Sequence, residues 1–130
     1  MKEIQKAQWV LRIAVAGEFL GHGVFGLQGK EQWVGWMVQL LGVSHEMGVQ
    51  LLFFVGLLDI LVALIVLVYP VRAVLLWATL WGFWTALLRP IVGEPVWDFI
   101  ERFANWGAPL ALLLLQGWPK NLKDWFKNIS

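Results

Sequence analysis

Two carboxylic acids stand inside long apolar runs, where an unpaired charge is costly. Glu18 and Asp59 are each flanked by apolar residues, and His22 follows Glu18 by four positions, on the same face of a helix. An ionised carboxylate at the centre of a bilayer costs about 3 kcal/mol on insertion scales. We therefore expect these acids to be protonated, paired or next to a wet cavity, as in a proton relay or a hydrogen-bonding site for a ligand carbonyl. Equally, each acid could bind a neighbouring backbone carbonyl and only hold helices together.

A second group of polar side chains falls in the same half of the predicted helices as His22. Glu101 and Asn105 are four positions apart, and Arg89 ends the third apolar run. Two charges in apolar surroundings are tolerated mainly when matched, so we expect Arg89 to pair with Glu101. The alternative is that Arg89, Glu101 and Arg102 extend to water at the membrane interface. One polar pocket, open to the outer half of the membrane, would explain all these positions together with the two buried acids.

An aromatic stripe follows the third apolar run. Trp77, Trp81 and Trp84 recur at helical spacing, and Trp81 is predicted to lie at the depth of the acids. Flat ligands such as quinones or porphyrins stack on such surfaces, although lipid-facing packing produces the same spacing. The predicted ligand-binding residues are Glu18, His22, Asp59, Trp81, Arg89, Glu101, Arg102 and Asn105, with His45 and Glu46 as further candidates.

Metal and thiol chemistry find little support in the sequence. The chain has no Cys, which removes disulfides, thiolate metal sites and iron–sulfur clusters. His22 and His45 are predicted on the same side of the membrane, but neither falls in a recognised ligand spacing. The sequence therefore predicts no metal site and does not favour haem, whereas a quinone remains the preferred cofactor.

The composition indicates that lipid surrounds the elements that carry these residues. Of 130 residues, 59% are apolar and 15% charged, with 10 Trp and 8 Phe, and the mean hydropathy is +0.67. A soluble domain usually carries about a quarter charged residues. At about 20 residues per crossing, the chain has room for an all-α integral membrane bundle of four helices. The net charge of +1 favours no nucleic acid partner.

The apolar runs and their breaks predict one transmembrane domain over 1–130. The predicted spans are 9–27, 48–69, 71–89 and 97–117, with an interfacial helix over 30–47 and a basic amphipathic tail over 119–130. Gly17 and Gly21 form a GxxxG spacing that predicts close helix packing in the first span. Pro70, Pro90 and Pro119 are expected to end the helices that precede them.

The positive charges predict the orientation. Lys2, Lys6, Arg12, Arg72, Lys120, Lys123 and Lys127 fall on one side of the predicted bundle, and Lys30, Arg89 and Arg102 on the other. By the positive-inside rule, both termini lie in the cytoplasm and the chain lies in the cell inner membrane.

Three stretches resemble the DoxX-like family of small four-helix membrane proteins. They are GEFLGHGVFGLQGK in the first span, Glu46 followed by Gly48, and DFIERFANWGAPLALLLL in the fourth span. The resemblance implies that the recurrent polar positions of the family are His22, Glu46, Glu101, Arg102 and Asn105. It also implies a link, in some members, to quinone-dependent thiosulfate oxidation or to membrane oxidoreductase complexes. Asp59 has no place in the family pattern, so its role depends on depth alone.

Taken together, the residues predict a membrane subunit that binds a lipophilic small molecule, preferably a quinone, and serves an oxidoreductase complex. One alternative is a small proton-coupled transporter that uses the same acids. Another is an assembly or scaffold protein without chemistry, which engages partner subunits or copies of itself. No nucleophile–base pair or nucleotide-binding loop is present, which argues against a standalone enzyme.

Overall fold

A computed structural model describes residues 1–129, which form helices, turns and an isolated antiparallel bridge between Val71 and Asn128. The helices are α1 (Glu3–Leu27), α2 (Glu31–Leu41), α3 (His45–Val68), α4 (Arg72–Ile91), α5 (Val96–Ile100) and α6 (Phe103–Leu115), followed by a 3-10 turn at Leu122–Trp125. Three of them, α1, α3 and α4, are long and apolar enough to cross a membrane. The all-helical prediction is confirmed, as are three apolar spans.

Two helix pairs make up the bundle. α1 packs most extensively against α3, and α4 packs against α6, whereas α3 and α4 touch each other little. A core of buried side chains joins the pairs: Val15, Phe19, Val62, Val66, Leu75 and Leu112. These residues lie toward the end of the bundle that holds the start of α1, the 69–71 turn and the C-terminal tail, here called the terminal end. The opposite end, called the α2 end, is more open because α3 and α4 diverge there.

Glycines set the distance between α1 and α3. A Cβ atom on Gly56 would lie 2.7 Å from the carbonyl oxygen of Gly23 and 2.9 Å from the amide nitrogen of Leu27. The predicted contact through Gly17 and Gly21 is wrong, because both face outward with nothing within 4 Å of a Cβ atom. The spacing in the sequence did not reveal which glycines of α1 meet the partner helix.

Two arginines bind the carbonyl ends of helices at the terminal end. The last four carbonyls of a helix have no partner within it, and Arg12 donates from Nε to the Val66 oxygen at 3.2 Å and from Nη2 to the Leu67 oxygen. Arg72 donates from Nη2 to Gln116 and from Nε to Gly117 at 2.7 Å, just beyond α6. Because these donors come from neighbouring helices, each arginine also fixes one helix against another.

The segment predicted as a fourth span is interrupted. The sequence predicted one helix over 97–117, but the structure ends α5 at Ile100 and begins α6 at Phe103. At the break, Arg102 has φ −100° and ψ 15°, and its Nη1 binds the Asp98 carbonyl and a Glu101 carboxylate oxygen, each at 2.7 Å. Alone, α6 is about 20 Å long by helical rise, which is shorter than the roughly 30 Å of a bilayer core.

Other predicted boundaries shift for local reasons. The helix predicted over 30–47 stops at Leu41, because Gly42 adopts a left-handed conformation with φ 66°. Ser44 then caps α3 by accepting a hydrogen bond from the Met47 amide at 3.1 Å, so 45–47 belong to α3. Pro90 does not end α4, which continues to Ile91.

The C-terminal tail folds back onto the bundle instead of forming the predicted amphipathic helix. Its 3-10 turn is held to α4 because Arg72 donates to the Asp124 carbonyl at 3.2 Å, and the Ile129 amide donates to Pro70 at 2.9 Å. The Asp124 carboxylate accepts from the Lys120 amide at 3.0 Å and pairs with Lys127 at 3.1 Å. Ser130, the last residue of the predicted tail, lies outside the described residues.

Gly56→Ala should destabilise the bundle by about 1–3 kcal/mol, as overpacking usually does. The added Cβ atom meets backbone atoms of α1, which cannot move aside as a side chain would. Thermal unfolding in detergent measures the effect. Gly21→Ala is the matched control: its Cβ atom meets open space, so stability should stay equal or rise by up to about 1 kcal/mol. Equal stability of the two variants would contradict the close contact at Gly56.

The order of the tail should depend on pH through Asp124. The hydrogen bond from the Lys120 amide, and then the contact with Lys127, hold the pKa of Asp124 below its usual value. The contribution of Asp124 to the stability of the tail is therefore complete above its unfolded pKa of about 4. It is lost as the pH falls through the lower pKa of the folded state. Hydrogen exchange of 119–129, corrected for intrinsic rates, should show faster exchange in acid, and in Asp124→Asn already at neutral pH. Lys123→Gln should match the wild type, and equal protection in Asp124→Asn would contradict this role.

Candidate functional site

A cavity of about 300 Å³ lies at the α2 end, between α1, α3 and α4, with α2 across it. Most of its wall is apolar. Four tryptophans line it, Trp33, Trp36, Trp81 and Trp84, together with the aliphatic residues Met37, Leu40, Leu41, Leu52, Val55 and Leu88. The polar side chains in the wall are His22, Asp59, Thr85 and Arg89. An apolar cavity with a few convergent polar groups is the usual form of a small-molecule site.

Three predicted site residues meet at the deep end of this cavity. α3 and α4 run antiparallel from the 69–71 turn, so Asp59 and Trp81 lie at equal depth, about 15 Å from it by helical rise. His22 belongs to the same level, because the adjacent Gly23 of α1 contacts Gly56 and Ile60 of α3. The sequence also placed Asp59 and Trp81 at one depth, but it placed Glu18 at that depth and His22 one helical turn nearer the outer surface.

Asp59 is buried in the wall without a hydrogen-bond partner. The residue is 4% exposed, and its Oδ1 atom has no donor among the described residues. A buried polar atom without a partner costs about 1–3 kcal/mol. A ligand that donates to this oxygen would offset the cost, which makes Asp59 a candidate ligand-binding residue.

Arg89 reaches the cavity from the last turn of α4. Its residue exposure is 7%, Nη1 donates to the Thr85 carbonyl, and the guanidinium lies 4.9 Å from the ring centroid of Trp36. Because Thr85 is one turn nearer the N-terminus of α4, the guanidinium points toward the deep end. Within residues 1–129 it forms no ion pair, so the predicted pair of Arg89 with Glu101 does not form.

His22 connects the deep end of the cavity to α2. Its ring is half-buried and meets the Trp33 ring edge-on, with centroids 5.5 Å apart. The ammonium group of Lys30 lies 4.7 Å from the centroid of the same tryptophan. Arg89, Arg102 and Lys30 are the charged groups close enough to act on His22. The site is thus positively charged around the imidazole, which suits a ligand with electron-rich oxygen atoms.

The remaining predicted site residues lie outside the cavity. Glu101 pairs with Arg102 at 2.7 Å beside the α5–α6 break, and the exposed His45 contacts Glu31 at 3.0 Å. Glu46 is exposed, and Asn105 is half-buried on α6. Glu18 is half-buried beside the cavity, near enough to Asp59 for the two carboxyl groups to interact.

The sequence prediction missed three wall residues, Trp33, Trp36 and Thr85. The two tryptophans fall in the segment predicted as an interfacial helix, and in the structure they line the cavity from α2. They are three positions apart, which places them on one face of a helix, and side chains on one face can line the same cavity wall. The sequence held no sign that this face would meet α4.

A scan of models of protein families and searches of curated proteins and of solved structures found no match to this chain. The resemblance to the DoxX-like family therefore depends on the three stretches described above.

Replacing Asp59 by Leu should raise the stability of the ligand-free protein by about 1–3 kcal/mol, because it removes an unsatisfied buried oxygen. Thermal unfolding in detergent measures the change. Thr79→Val is the matched control: its buried hydroxyl donates to Leu75 at 2.8 Å, so its loss should bring no gain. If Asp59→Leu lowers stability, the carboxyl group has a structural partner and the interpretation is wrong.

Proposed function

We propose that the chain crosses the membrane four times, with α5 and α6 together as the fourth crossing and α2 along the interface. Leu61, Leu64 and Phe54 of α3 are more than half exposed, as expected for side chains that face lipid. The segment from α5 to α6 covers Val96–Leu115 and is long enough to cross despite its break. The excess of Lys and Arg at the terminal end supports an orientation with that end in the cytoplasm, and the cell inner membrane is the proposed location.

In this membrane setting, the cavity at the α2 end binds a lipophilic molecule with a flat, oxygen-bearing head, of which a quinone is the preferred example. The observation that carries this proposal is one aromatic-walled cavity whose buried Asp59 carboxyl group has no hydrogen-bond donor, and whose buried Arg89 guanidinium forms no direct ion pair, within residues 1–129. Each of these groups is costly alone. A ligand that hydrogen-bonds to both Asp59 and Arg89 would supply the partners that residues 1–129 do not supply.

The geometry suits a single ring with oxygens at opposite positions. The guanidinium of Arg89 lies near Thr85, about one helical turn from the level of Asp59 and Trp81. Arg89 would donate to one ligand oxygen. The other oxygen would accept from the protonated carboxyl group of Asp59 or, as a quinol hydroxyl, donate to its carboxylate, with His22 beside it. Trp81 and Trp84 offer faces for stacking.

A long apolar tail exceeds the space of about 300 Å³ and has to leave the cavity. The exit suggested by the structure passes Leu40 and Leu41, which line the cavity and are 40% and 58% exposed. These residues end α2, where an apolar tail would pass directly into lipid. A quinone takes up two electrons and two protons when it is reduced and releases them when it is oxidised again, and this chain would hold its head in place.

The proposed context is a subunit that presents the quinone to a membrane oxidoreductase complex, in agreement with the DoxX-like resemblance. A proton-coupled transporter is the second candidate, and the proximity of Glu18 to Asp59 favours it, because the two acids could pass a proton between the cavity and the flank of α1. Glu18→Gln distinguishes the two: it should leave quinone affinity unchanged, whereas it would abolish pH-dependent solute flux into vesicles.

Arg89→Gln should weaken binding of a decyl-tailed ubiquinone analogue about tenfold to a hundredfold, because a hydrogen bond from a charged group contributes about 1.5–3 kcal/mol. Equilibrium dialysis against the purified protein measures the affinity without relying on the fluorescence of ten tryptophans. Lys123→Gln is the control, since it removes an exposed positive charge at the terminal end, outside the cavity, and should bind as the wild type does. No binding to the wild type would refute the proposed ligand, and equal affinity of Arg89→Gln would refute the role of Arg89.

A further inference from the structure

A second cavity, of about 190 Å³, lies at the terminal end of the bundle. The start of α1 lines it with Gln5, Gln8, Trp9 and Arg12, and the end of α6 closes it with Gln116. It is separate from the cavity at the α2 end and shares no residue with it. Met1 and Ile129 complete the wall, which therefore combines a cation, three carboxamides and an indole with two apolar side chains.

Arg12 is the charged group of this second cavity. Its residue exposure is 5%, yet it forms no ion pair with any acid in residues 1–129. Nε and Nη2 bind carbonyls at the end of α3, and Trp9 lies 3.9 Å from the guanidinium carbon. The remaining nitrogen, Nη1, has no partner among residues 1–129, and the residue lines the second cavity. The guanidinium is therefore positioned by two carbonyls and one ring, with a free donor edge.

The acids of the surrounding face are already occupied. Glu3 pairs with Lys6 at 2.9 Å, and Asp124 pairs with Lys127 at 3.1 Å. Five lysines stand on this face, at Lys2, Lys6, Lys120, Lys123 and Lys127. The local charge is positive, and no carboxylate within the described residues neutralises Arg12.

The depth of the cavity corresponds to a membrane interface. Arg12 lies level with the last turn of α3, because it binds the carbonyls of Val66 and Leu67. Trp9 is 41% exposed and Trp118, beyond α6, is 57% exposed, and tryptophans of this kind sit at the level of lipid headgroups. Phosphate groups are the anions found at that level, and a guanidinium with an open edge binds phosphate by charge-assisted hydrogen bonds.

We propose that this second cavity binds the phosphate group of an anionic phospholipid from the leaflet at the terminal end. Arg12 donates from Nη1 to a phosphate oxygen, and the carboxamides of Gln8 and Gln116 donate to the phosphate or to the glycerol of the headgroup. Trp9 packs against the lipid at the interface. This site does not depend on the ligand of the first cavity.

The test uses the full chain in detergent, stripped of lipid, and titrated with phosphatidylglycerol, phosphatidylcholine or inorganic phosphate under native mass spectrometry. We expect phosphatidylglycerol to bind about tenfold more tightly than phosphatidylcholine, with inorganic phosphate weaker still. Equal binding of the two lipids would overturn the proposal. Inorganic phosphate that binds as tightly as phosphatidylglycerol would identify a site for free phosphate and overturn the lipid assignment.

Variants locate the site without removing Arg12, whose loss would also leave the end of α3 without donors. Gln8→Glu places a carboxylate in the cavity and should abolish the preference for phosphatidylglycerol. Ala7→Glu adds the same charge at the neighbouring exposed position and should retain most of it. Gln116→Glu repeats the test from the end of α6. If thermal unfolding shows that one of the two variants is misfolded, the other still tests the site. Folded variants that both keep the wild-type preference would overturn the proposal.

Discussion

Backbone carbonyls at helix ends that are sheltered from water need donors from elsewhere in the protein. In this chain two arginines meet that need at the same end of the bundle, Arg12 for α3 and Arg72 for the end of α6. Each reaches across from another helix, so the donors that satisfy the carbonyls also bind the helices together. The well-packed core around Leu75 and Leu112 lies beside these contacts. Because this end is closed in that way, the opposite end can remain open enough to hold a cavity.

The cavity follows from how the helices pair. Gly23, Gly26 and Gly56 bring α1 and α3 together, and Gly82 allows α4 to approach the backbone of Asn105 in α6. Each pair is tight, whereas the two pairs separate from each other beyond the core. The space between them receives side chains from α1, α3 and α4, which explains why polar groups far apart in sequence meet there. Backbone packing at glycines thus creates the room in which His22, Asp59 and Arg89 are found.

The sequence predicted the helical class, the apolar spans and part of the site for a simple physical reason. Helical rise converts position into depth, so Asp59 and Trp81 could be placed at one level without a structure, whereas His22 was placed one turn too far from that level. Rotation about the helix axis is harder to predict, because α1 carries glycines on more than one face and spacing alone selects Gly17 and Gly21. The second failure concerns the fourth segment, which breaks at Arg102, where Arg102 binds Asp98 and Glu101, so that Glu101 pairs with Arg102 and not with Arg89. The tail was mispredicted because Arg72 holds it against the bundle by binding the backbone carbonyls of Gly117 and Asp124. The pattern of side chains in the sequence does not reveal such bonds.

The Arg89 guanidinium contacts Trp36 and is also the proposed donor to a cavity ligand. The ring of Trp36 holds α2 across the cavity through Arg89, and that guanidinium is also the donor that a ligand oxygen would approach. The free energy of binding and the position of α2 are therefore linked, and the linkage acts equally in both directions. A contact of this kind contributes about 0.5–2 kcal/mol. An affinity measured for this cavity therefore includes any change in the free energy of the contact between Arg89 and Trp36 of α2. Contacts made on the outer surface of α2 would consequently change the ligand affinity without touching the ligand.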